Sequence, residues 1–308
     1  MPCRFSIIII HRNGLDRLRS TLDSVVNASD SHDEILIVDN ASTDNSISQI
    51  SKIYPKIQII RNKFNLGYGH AANQGINSGK GKYYLICNND IVLPLNIFKD
   101  LEELFIKEPK AGIISGQQTN LDGIEIRTTA MLPTYLIEFD GIGKDRSKDP
   151  INISEVGILR GACLASRRQM VEEIGGFDED FFFYFEDTEW CMRLRNKGWK
   201  ILFSTSIQVF HEGGGSTSKY FLKSRIEFMR SRIYLCQITF SKPQLICLML
   251  WNVPKLFLDW IYYFLCSSLS LYTKRKYTDK FLERSLVICW LCIGMPKSWG
   301  LPKNYSEG

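Results

Sequence analysis

This sequence has few histidines, no evident cysteine pairing and no large excess of one charge. Only four of the 308 residues are histidine, which excludes a histidine-rich metal centre. Nine cysteines are scattered singly, an odd count that predicts free, reduced thiols. The C-x-x-C formed by Cys289 and Cys292 lies in an apolar stretch without the second pair of a zinc site. Lysine and arginine number 38 against 33 acidic residues, and the net +5 is too mild to indicate a nucleic-acid-binding protein.

A secretory signal and a long uncharged run are lacking as well. The first apolar run, residues 5–10, is shorter than the roughly 7–15 residues of a signal-peptide core, and no small-residue cleavage site follows. We therefore expect a cytoplasmic location. Hydrophobic residues make up 44% and charged residues 23%, ordinary globular values that exclude global disorder.

The net charge is the sum of two unlike regions. Residues 219–308 hold 14 basic and 5 acidic residues, a net of +9, and residues 1–218 hold 24 and 28, a net of −4. The basic region is also apolar and aromatic. This asymmetry suggests that the last third meets a negatively charged surface while the body does something else.

The first 110 residues alternate between strand and helix patterns. Helical spacing predicts helices at 14–26, 47–54, 67–78 and 94–107, between apolar runs at 5–10, 34–38, 57–61, 82–87 and 112–115. Repeated β-α-β units predict an α/β fold with a doubly wound, mostly parallel sheet. Ligands bind such sheets at the carboxyl ends of the strands, where the polar loops after Val38 and Cys87 lie.

Beyond this region the pattern changes twice. Residues 118–155 lack periodicity and predict an irregular excursion over the site. A strand at 161–166, helices at 168–174 and 186–196, and short strands at 201–204 and 207–210 follow. We predict one domain over residues 1–218 and a helical, apolar extension over residues 219–308.

Polar residues at the ends of these elements have two local interpretations each. Asp39 and residues 88–90 follow strands, where turn residues and ligand contacts are both common. Glu186 and Asp187 open a helix, which suits a cap as well as catalysis. His211 suits a structural histidine or a metal ligand.

Taken in order along the chain, the motifs resemble those of family-2 glycosyltransferases of the GT-A fold. Each motif is short, and the specificity lies in their fixed order over about residues 4–218. The matching segments are residues 6–13 ending in His11-Arg12-Asn13, Val38-Asp39-Asn40-Ala41-Ser42-Thr43-Asp44, residues 65–75, Cys87-Asn88-Asn89-Asp90, Arg160-Gly161-Ala162, Gly175-Gly176-Phe177-Asp178-Glu179, residues 182–187, and Val209-Phe210-His211 with Gly215-Ser216.

The resemblance implies a nucleotide-sugar donor. Asp39 would accept a hydrogen bond from N3–H of uracil or thymine, which cytosine lacks, and this implies a UDP- or dTDP-sugar. Asp44 would cap the following helix, and Gly67 and Gly69 would let the nucleotide approach closely. The implied donor-binding residues are Asn13, Asp39, Ser42, Gly67, Asn73, Asn88, Asn89 and Asp90.

The resemblance also implies a divalent cation, Mg²⁺ or Mn²⁺, on the donor diphosphate. Asp90 would be the main carboxylate ligand and His211 would reach the same ion. Asn88 stands where a D-x-D motif has its first acid, so this position brings no charge to the ion.

On the acceptor side, the resemblance implies that Asp187 is the general base. Attack assisted by one base inverts the anomeric configuration. Four further residues would shape the acceptor pocket, namely Gly161, Tyr184, Glu186 and Trp190.

The pair His11-Arg12 departs from the family, whose members usually carry a small polar residue and an aromatic here. Arg12 has two open interpretations, a contact to the pyrophosphate or base and a structural variant.

A competing motif is the G-x-G-x-x-A pattern that begins at Gly67. It fits the dinucleotide-binding fingerprint in letters but not in context, because the loop 62–66 separates it from the preceding strand. A dehydrogenase would also leave Glu186, Asp187 and His211 unexplained.

Residues 243–295 hold uncharged stretches at 243–254, 260–273 and 285–296, each shorter than the roughly 18–20 residues of a continuous membrane span. Three arrangements stay open: a span over about 244–266, a soluble helical subdomain, and helices lying in the membrane surface. We favour the last, since aromatic residues suit headgroup depth and basic clusters suit anionic lipid.

These inferences predict an inverting, metal-dependent glycosyltransferase at the cytoplasmic face of the plasma membrane. It would extend a glycan carried on a polyprenyl lipid, as in assembly of bacterial surface polysaccharides such as O-antigen, and dTDP-rhamnose is the best donor hypothesis. The alternatives are a transferase of UDP-hexose or UDP-N-acetylhexosamine and a degenerate sugar-binding protein at the membrane. Asp39, Asp90, Asp187 and His211 together argue against the degenerate protein.

Overall fold

The computed structural model of the protein describes residues 2–126, 128–133, 153–213, 220–270 and 272–301. Part of the segment predicted to be irregular, the motif residues Gly215 and Ser216, and the predicted boundary at residue 218 lie outside the described residues. The strands within the described part of the chain are β1 (Phe5–His11), β2 (Glu34–Asp39), β3 (Gln58–Arg61), β4 (Tyr83–Asn88), β5 (Ile91–Val92), β6 (Ala111–Thr119), β7 (Glu125–Ile126), β8 (Thr129–Ala130), β9 (Ile153–Glu155), β10 (Ile158–Leu159), β11 (Cys163–Arg167) and β12 (Lys200–His211).

Helices cover both faces of the sheet and make up the C-terminal third. The four predicted in the first 110 residues are present, with ends that differ from the prediction by at most three residues. The α-helices are α1 (Leu15–Ala28), α2 (Ser46–Ile53), α3 (Tyr68–Ser78), α4 (Ile97–Lys107), α5 (Arg168–Ile174), α6 (Glu186–Asn196), α7 (Phe221–Thr239), α8 (Lys242–Leu269) and α9 (Arg275–Cys292).

One large mixed sheet organises residues 5–211. Its strand order is β3-β2-β1-β4-β11-β6-β12-β5, with β7 beside β6 and β9 beside β12. Strands β1 to β4 pair in parallel, as does β12 with β6, whereas β11 runs antiparallel between β4 and β6. The predicted fold class, a doubly wound and mostly parallel sheet, is confirmed.

The core lies on both faces of the sheet because every residue of β1 is buried. Side chains alternate across a strand, so Ile9 packs in one cluster with Leu18 of α1, and Ile8 packs in the other with Ala72 of α3. A strand buried on both faces reads as a continuous apolar run, which explains why residues 5–10 stand out in the sequence.

The two short strands predicted at 201–204 and 207–210 are one strand, β12. Its pairing with β6 shifts register between Ser204 and Gln208, where Ser204, Thr205 and Ser206 interrupt the apolar run. A bulge keeps the chain in the sheet while breaking the alternation, so the sequence pattern resembles a turn.

The C-terminal helices pack on one another and dock on the body through α7. Ile226 of α7, Val287 and Trp290 of α9 form a separate small core. The ring of Tyr234 lies 4.8 Å from that of Phe181. The C-terminal third therefore meets the body at the aromatic run that precedes Glu186.

Candidate active site

The carboxyl ends of β1, β2 and β4 bring the first set of predicted residues to one edge of the sheet. His11 is paired in register with Asp39, and Ile10 with Asn88. Asn88, half-buried, follows the last apolar residue of β4. Parallel neighbours end at the same edge, and this places loops that are far apart in sequence side by side.

Asp39, Ser42 and Asn13 are held together by hydrogen bonds. The N–H of Ser42 donates to Oδ1 of Asp39 over 2.9 Å, and the N–H of Asn13 donates to Oγ of Ser42 over 3.0 Å. Asn13 Oδ1 in turn accepts a hydrogen bond of 2.7 Å from the N–H of Thr43. Asn13 and Ala41 have positive φ angles of 55° and 64°, so both loops have a locally unfavourable backbone that the network holds in place.

His11 connects this region to the loop that carries Asp90. The ring is fully buried, and burial lowers its pKa to about 4, so the imidazole is neutral at pH 7. The Asn89 amide donates to Nδ1 over 2.8 Å, and this leaves Nε2–H to donate to Oγ of Ser46 over 2.8 Å. Ser46 donates to Asp44, whose other oxygen accepts a 2.7 Å hydrogen bond from Gly14.

This arrangement decides the role of His11 and of Asp44. His11 is a buried bridge between two loops. Asp44 accepts a hydrogen bond of 3.1 Å from the N–H of Ser46, the first residue of α2, and so contacts the start of that helix as predicted. Asn89 also donates to the carbonyl of Asn13 over 3.1 Å, so its NH₂ group is engaged within the protein. Of its side-chain amide, the Oδ1 acceptor is the atom left for a contact to the nucleotide-sugar.

Asp90 and His211 lie side by side, as the resemblance implies. Strand β12 ends at His211, which pairs antiparallel with Ile91, the residue after Asp90. His211 Nε2 is 3.3 Å from Asp90 Oδ1, and both side chains are largely buried. Asp90 Oδ1 and His211 Nδ1 are buried atoms without a hydrogen-bond partner among the described residues.

This pair fits a divalent cation with few protein ligands. A carboxylate and an imidazole are both accepted by Mn²⁺ or Mg²⁺, and an unpaired buried oxygen is free to bind an ion. Within the described residues, no group of three or more His, Cys, Asp or Glu side chains is placed to hold a metal. The remaining ligands would come from the donor and from water.

Asp187 lies at the start of α6 and is held by backbone N–H groups. Thr188 N–H donates to Oδ1 over 2.6 Å, and Gly161 N–H donates to Oδ2 over 3.3 Å. Burial raises the pKa of Asp187, against the lowering effect of the Thr188 N–H and of Arg160. Gly161, expected to touch the acceptor, thus contacts Asp187 and positions it.

Glu186 is the neighbouring acid and is 7% exposed. Burial, together with the charge of Asp187, raises the pKa of Glu186 to about 8. Its Oε2 is buried without a hydrogen-bond partner among the described residues. An unsatisfied buried carboxyl oxygen is costly, which is the pattern expected of a group whose partner is a ligand.

The segment before Glu186 has an unfavourable backbone. Tyr184 and Phe185 have φ angles of 71° and 69°, a region that bulky side chains rarely adopt. Tyr184 is half-buried, and its ring packs 4.6 Å from that of Phe183. Residues with strained backbones cluster at functional sites. The loops with positive φ angles at Asn13 and Ala41 and at Tyr184 and Phe185 lie beside predicted site residues.

Three predicted contacts are corrected by the packing. Trp190 is fully buried, with its ring 4.3 Å from Phe177 and its Nε1–H donating to the Gly175 carbonyl, so it belongs to the core. A Cβ on Gly67 would come within 2.3 Å of the Phe182 carbonyl oxygen. The missing side chain of Gly67 therefore makes room for the protein's own backbone, and no nucleotide is needed to explain it.

Asn73 is likewise engaged within the protein. It accepts from the N–H of Phe177 over 2.8 Å and donates to the carbonyl of the same residue over 2.9 Å. A cavity of about 360 Å³ between α3 and α5 includes Asn73 and none of the other predicted site residues. Asn73 therefore fixes the turn before the aromatic run.

Sequence reasoning assigned no role to three polar residues of this site. Asn40, 4% exposed, donates to Asn65 and to the Gly67 carbonyl, tying β2 to the loop before α3. The Tyr68 hydroxyl is 3.5 Å from the Gly161 carbonyl, and burial raises its pKa well above the ordinary value. The charge of Arg160 acts on Asp187. All three lie inside motifs that resemble the family, and their position in these motifs could have marked them as candidate site residues.

Comparison with known proteins identifies the family of the chain. A family model described as glycosyl transferase family 2 matches residues 6–175, more than half of the chain. The chain is 27% identical over 209 residues to the N-acetylglucosaminyl-diphospho-decaprenol L-rhamnosyltransferase of Mycobacterium tuberculosis, covering 60% of this chain and 68% of that protein. It is 23% identical over 233 residues to the rhamnosyltransferase WbbL of Escherichia coli K12, covering 71% and 87%.

Solved structures show the same fold at low identity. The mannosyltransferase PcManGT from Pyrobaculum calidifontis, in complex with GDP-Man and Mn²⁺, has a TM-score of 0.58 at 15% identity, covering 95% of this chain and 88% of that one. GalNAc-T7 with UDP, GalNAc and Mn²⁺ has a TM-score of 0.59 at 15% identity, covering 96% and 58%. The chain is a GT-A glycosyltransferase and belongs to glycosyl transferase family 2, with relatives of the rhamnosyltransferase type.

Proposed function

We propose that the protein transfers a sugar with inversion from a dTDP- or UDP-sugar to a lipid-linked glycan, with dTDP-rhamnose as the preferred donor. The observation that carries the proposal is the placement of two acidic sites along the sheet edge. Asp90 lies against His211, and Asp187 is preceded in the chain by Glu186, whose buried Oε2 has no hydrogen-bond partner among the described residues. The two rhamnosyltransferases among the relatives support the choice of sugar.

Donor recognition would rest on the loops that end β1 and β2. Ser42 N–H occupies Oδ1 of Asp39, so we assign the other oxygen of that carboxylate to the base N3–H. Uracil and thymine donate from N3 and cytosine does not, which favours UDP and dTDP over CDP. The hydrogen bonds among Asn13, Ser42 and Thr43 fix this loop before the donor arrives.

Asp90 and His211 would hold the divalent cation, which when bound neutralises charge on the donor diphosphate. The comparison structures of this fold that contain Mn²⁺ support the choice of a hard divalent ion. On the protein side, His11 and Asn89 hold the loop of Asp90 in place through their hydrogen bond.

Asp187 would take the proton of the attacking acceptor hydroxyl. The acceptor oxygen forms a bond to the anomeric carbon while the bond from that carbon to the diphosphate oxygen breaks, and the nucleoside diphosphate leaves with the electron pair. Attack from the opposite face inverts the configuration. The raised pKa of Asp187 improves it as a base, because a proton acceptor works best when its pKa lies near the operating pH.

Glu186 would orient the acceptor. With its pKa raised to about 8, the carboxyl is largely protonated at neutral pH and can donate one hydrogen bond to a sugar oxygen. Its buried Oε2 is the atom left for this contact. The half-buried Tyr184, next to it, offers an apolar face to a sugar ring.

Helix α8 would carry the enzyme to the membrane. It has 28 residues, about 42 Å at 1.5 Å per residue, and is the one helix in the described residues that is long and apolar enough to cross a bilayer. Twelve large hydrophobic side chains on it are exposed, a surface that a soluble subdomain would bury. They are Ile246, Met249, Leu250, Trp251, Val253, Phe257, Leu258, Ile261, Tyr262, Phe264, Leu265 and Leu269.

The experiment that tests the proposal is donor-induced thermal stabilisation followed by transfer. UDP-, dTDP- and GDP-sugars are compared with Mn²⁺ present, and the stabilising donors are then assayed with a polyprenyl-diphosphate-linked acceptor. We expect stabilisation by dTDP- or UDP-sugars and transfer from dTDP-rhamnose. Stabilisation by GDP-sugars alone would contradict the role of Asp39, and transfer from UDP-sugars alone would favour the hexosyltransferase alternative.

A further inference from the structure

The loop that leads into α6 has a backbone conformation that its own sequence does not fix. Tyr184 and Phe185, the last two residues before the helix, have φ angles of 71° and 69°, which bulky residues adopt only at a cost in energy. Phe185 occupies the N-cap position of α6 and provides no side-chain cap hydrogen bond. Contacts from other segments must therefore hold this loop, and with it the positions of Glu186 and Asp187.

Helix α7 supplies one of the hydrogen bonds that hold this loop. Ser231 of α7 is 3% exposed, and its Oγ donates to the carbonyl of Phe183 over 2.8 Å. The carbonyl of the preceding residue, Phe182, accepts a hydrogen bond of 3.1 Å from the N–H of Tyr68 at the start of α3. The two carbonyls before the strained pair are thus held by separate elements, one by the body of the protein and the other by α7.

Tyr234 lies about one turn further along the same face of α7. Its hydroxyl is 3.1 Å from Oδ2 of Asp178 and 3.3 Å from Oδ2 of Asp180, so one proton is shared by two carboxylates near the start of the loop. Burial and these two carboxylates raise the pKa of Tyr234, so the hydroxyl keeps its proton at neutral pH. The ring of Tyr234 also lies 4.8 Å from that of Phe181.

A third residue of α7, Phe228, packs on the strained pair itself. Its ring lies 4.9 Å from that of Phe185 and 5.5 Å from that of Tyr184. Phe228, Ser231 and Tyr234 follow one another at intervals of three residues, and residues three apart are neighbours on a helix surface. One face of α7 therefore contacts the loop from residue 178 to residue 185.

Helix α7 also acts on the acids that follow the loop. Burial and the charge of Asp187 raise the pKa of Glu186 to about 8, and the charge of Glu227 on α7 adds a smaller contribution. A change in the packing of α7 would therefore alter the surroundings of Glu186 as well as the backbone that precedes it.

We propose that Ser231 and Tyr234 are positioning residues for the transfer reaction, holding the loop of residues 178–185 so that Glu186 and Asp187 are presented to the acceptor. The proposal rests on the proposed function, because it gives α7 a role in placing the proposed general base. Misplacing a catalytic group by about 1 Å slows a reaction by up to about 10²-fold. In this role the C-terminal helices shape the acceptor side in addition to reaching the membrane.

The first test compares transfer and donor binding in variants of Ser231. Ser231→Ala removes the hydrogen bond to Phe183, and we expect kcat to fall about tenfold while donor affinity, measured by thermal shift, stays within about twofold. Ser231→Thr keeps a hydroxyl and should retain kcat within about threefold. The matched control is Ser285→Ala in α9, which removes a hydroxyl that accepts a 2.8 Å hydrogen bond from Trp260 Nε1 and should leave kcat unchanged.

The second test removes only the hydroxyl of Tyr234. Tyr234→Phe keeps the ring against Phe181 and loses the contact to the two carboxylates, so we expect kcat to fall about threefold or more with unchanged donor affinity. Its matched control is Tyr54→Phe, which removes the hydroxyl that donates to Asp23 between the end of α2 and α1. This pair also serves if Ser231→Ala fails to fold, because the exchange of tyrosine for phenylalanine keeps the packing of the ring.

A third measurement needs no turnover. Hydrogen–deuterium exchange of the full chain without ligands follows the amides of residues 178–187. We expect faster exchange there in Ser231→Ala and Tyr234→Phe, since local contacts set the free energy of local opening, and unchanged exchange in the two controls.

The proposal is overturned by unchanged exchange of residues 178–187 in both variants, by an unchanged kcat in both, or by an equal loss of kcat in Ser285→Ala. A parallel loss of donor affinity and kcat would also overturn it, because that pattern indicates a general loss of structure. Absent turnover of the wild type from every donor is the separate failure of the proposed function. In that case the exchange measurement alone decides whether α7 holds the loop.

Discussion

The two sides of the active site differ in how completely their polar groups are satisfied. On the donor side, Asp39, His11 and Asn89 are bonded to neighbouring loops of the protein itself. On the acceptor side, Glu186 keeps an unpaired buried oxygen, and both acids have raised pKa values because of burial. The loops of the nucleotide site are therefore fixed before any ligand binds, whereas the Asp90–His211 pair and Glu186 keep buried atoms that a ligand would satisfy.

The difference suggests a division of labour. Hydrogen bonds between loops fix the geometry of a nucleotide site at no cost when the donor binds. Buried acids without partners destabilise the free protein, because their desolvation is not compensated by a hydrogen bond. An acceptor hydroxyl that forms this hydrogen bond would remove the penalty and so favour binding. Substitutions should therefore affect donor binding and transfer separately, depending on the side that they change.

The largest effect is expected at Asp187. Asp187→Asn preserves shape and removes the proton acceptor, so transfer should fall about 10³-fold while donor binding stays within about twofold. The measurements are single-turnover transfer and donor-induced thermal shift. Asp122→Asn, on an exposed turn, is the matched control. Retained turnover in Asp187→Asn would show that this residue is not the base. It would also contradict the assignment of catalysis to the acceptor side.

Asp90 should matter for the donor in a metal-dependent way. Asp90→Ala removes the carboxylate beside His211, and we expect Mn²⁺ to lose its effect on donor-induced stabilisation, with donor affinity about tenfold or more weaker. The readout is the thermal shift with donor as Mn²⁺ is titrated. A metal response equal to that of the wild type would contradict the assignment of Asp90 and His211.

His11 should affect stability and donor binding together. His11→Phe keeps an aromatic ring and breaks the bridge from Asn89 to Ser46, leaving buried polar groups unpaired at a cost of about 2–4 kcal/mol. Chemical denaturation measures the loss, and the Michaelis constant for the donor should rise while that for the acceptor is unchanged. Equal changes in both constants would show that the two sides are not independent.

The smallest effect is a pH-dependent one at Glu186. Burial raises its pKa from 4.5 to about 8 in the folded protein, so stability is fully present below pH 4.5 and is lost as the pH rises toward 8. Glu186→Gln cannot ionise and should therefore gain stability relative to the wild type as the pH rises from 5 to 8. Thermal unfolding at the two pH values measures this, and a difference independent of pH would contradict the raised pKa.

Sequence reasoning predicted the fold and the location of the site because both depend on local patterns. A run of apolar residues with no alternation, as in β1, specifies a strand buried on both faces. Polar loops after such strands must meet at one edge of the sheet. Packing adds what local patterns do not show: Trp190 follows Asp187 by three residues, and the helix turns it into the core.

Other features depend on contacts between segments that are distant in the chain. Gly67 looked like a nucleotide contact, but its missing side chain accommodates the Phe182 carbonyl. The strand β12 looked like two strands because Ser204, Thr205 and Ser206 interrupt its apolar run at the bulge. His11 stood in the sequence as an unexplained departure from the family, and its partners Asn89 and Ser46 become visible only when three loops are assembled.

The amino-acid sequence by itself determined the doubly wound sheet, the family and the order of the site loops, since periodicity and short motifs are local properties. Only the tertiary structure decided which of those residues are bonded within the protein and which keep buried atoms without a partner among the described residues. Hydrogen bonds and burial depend on neighbours supplied by other segments, and a carboxyl such as Glu186 acquires its raised pKa only when the folded chain removes water from it.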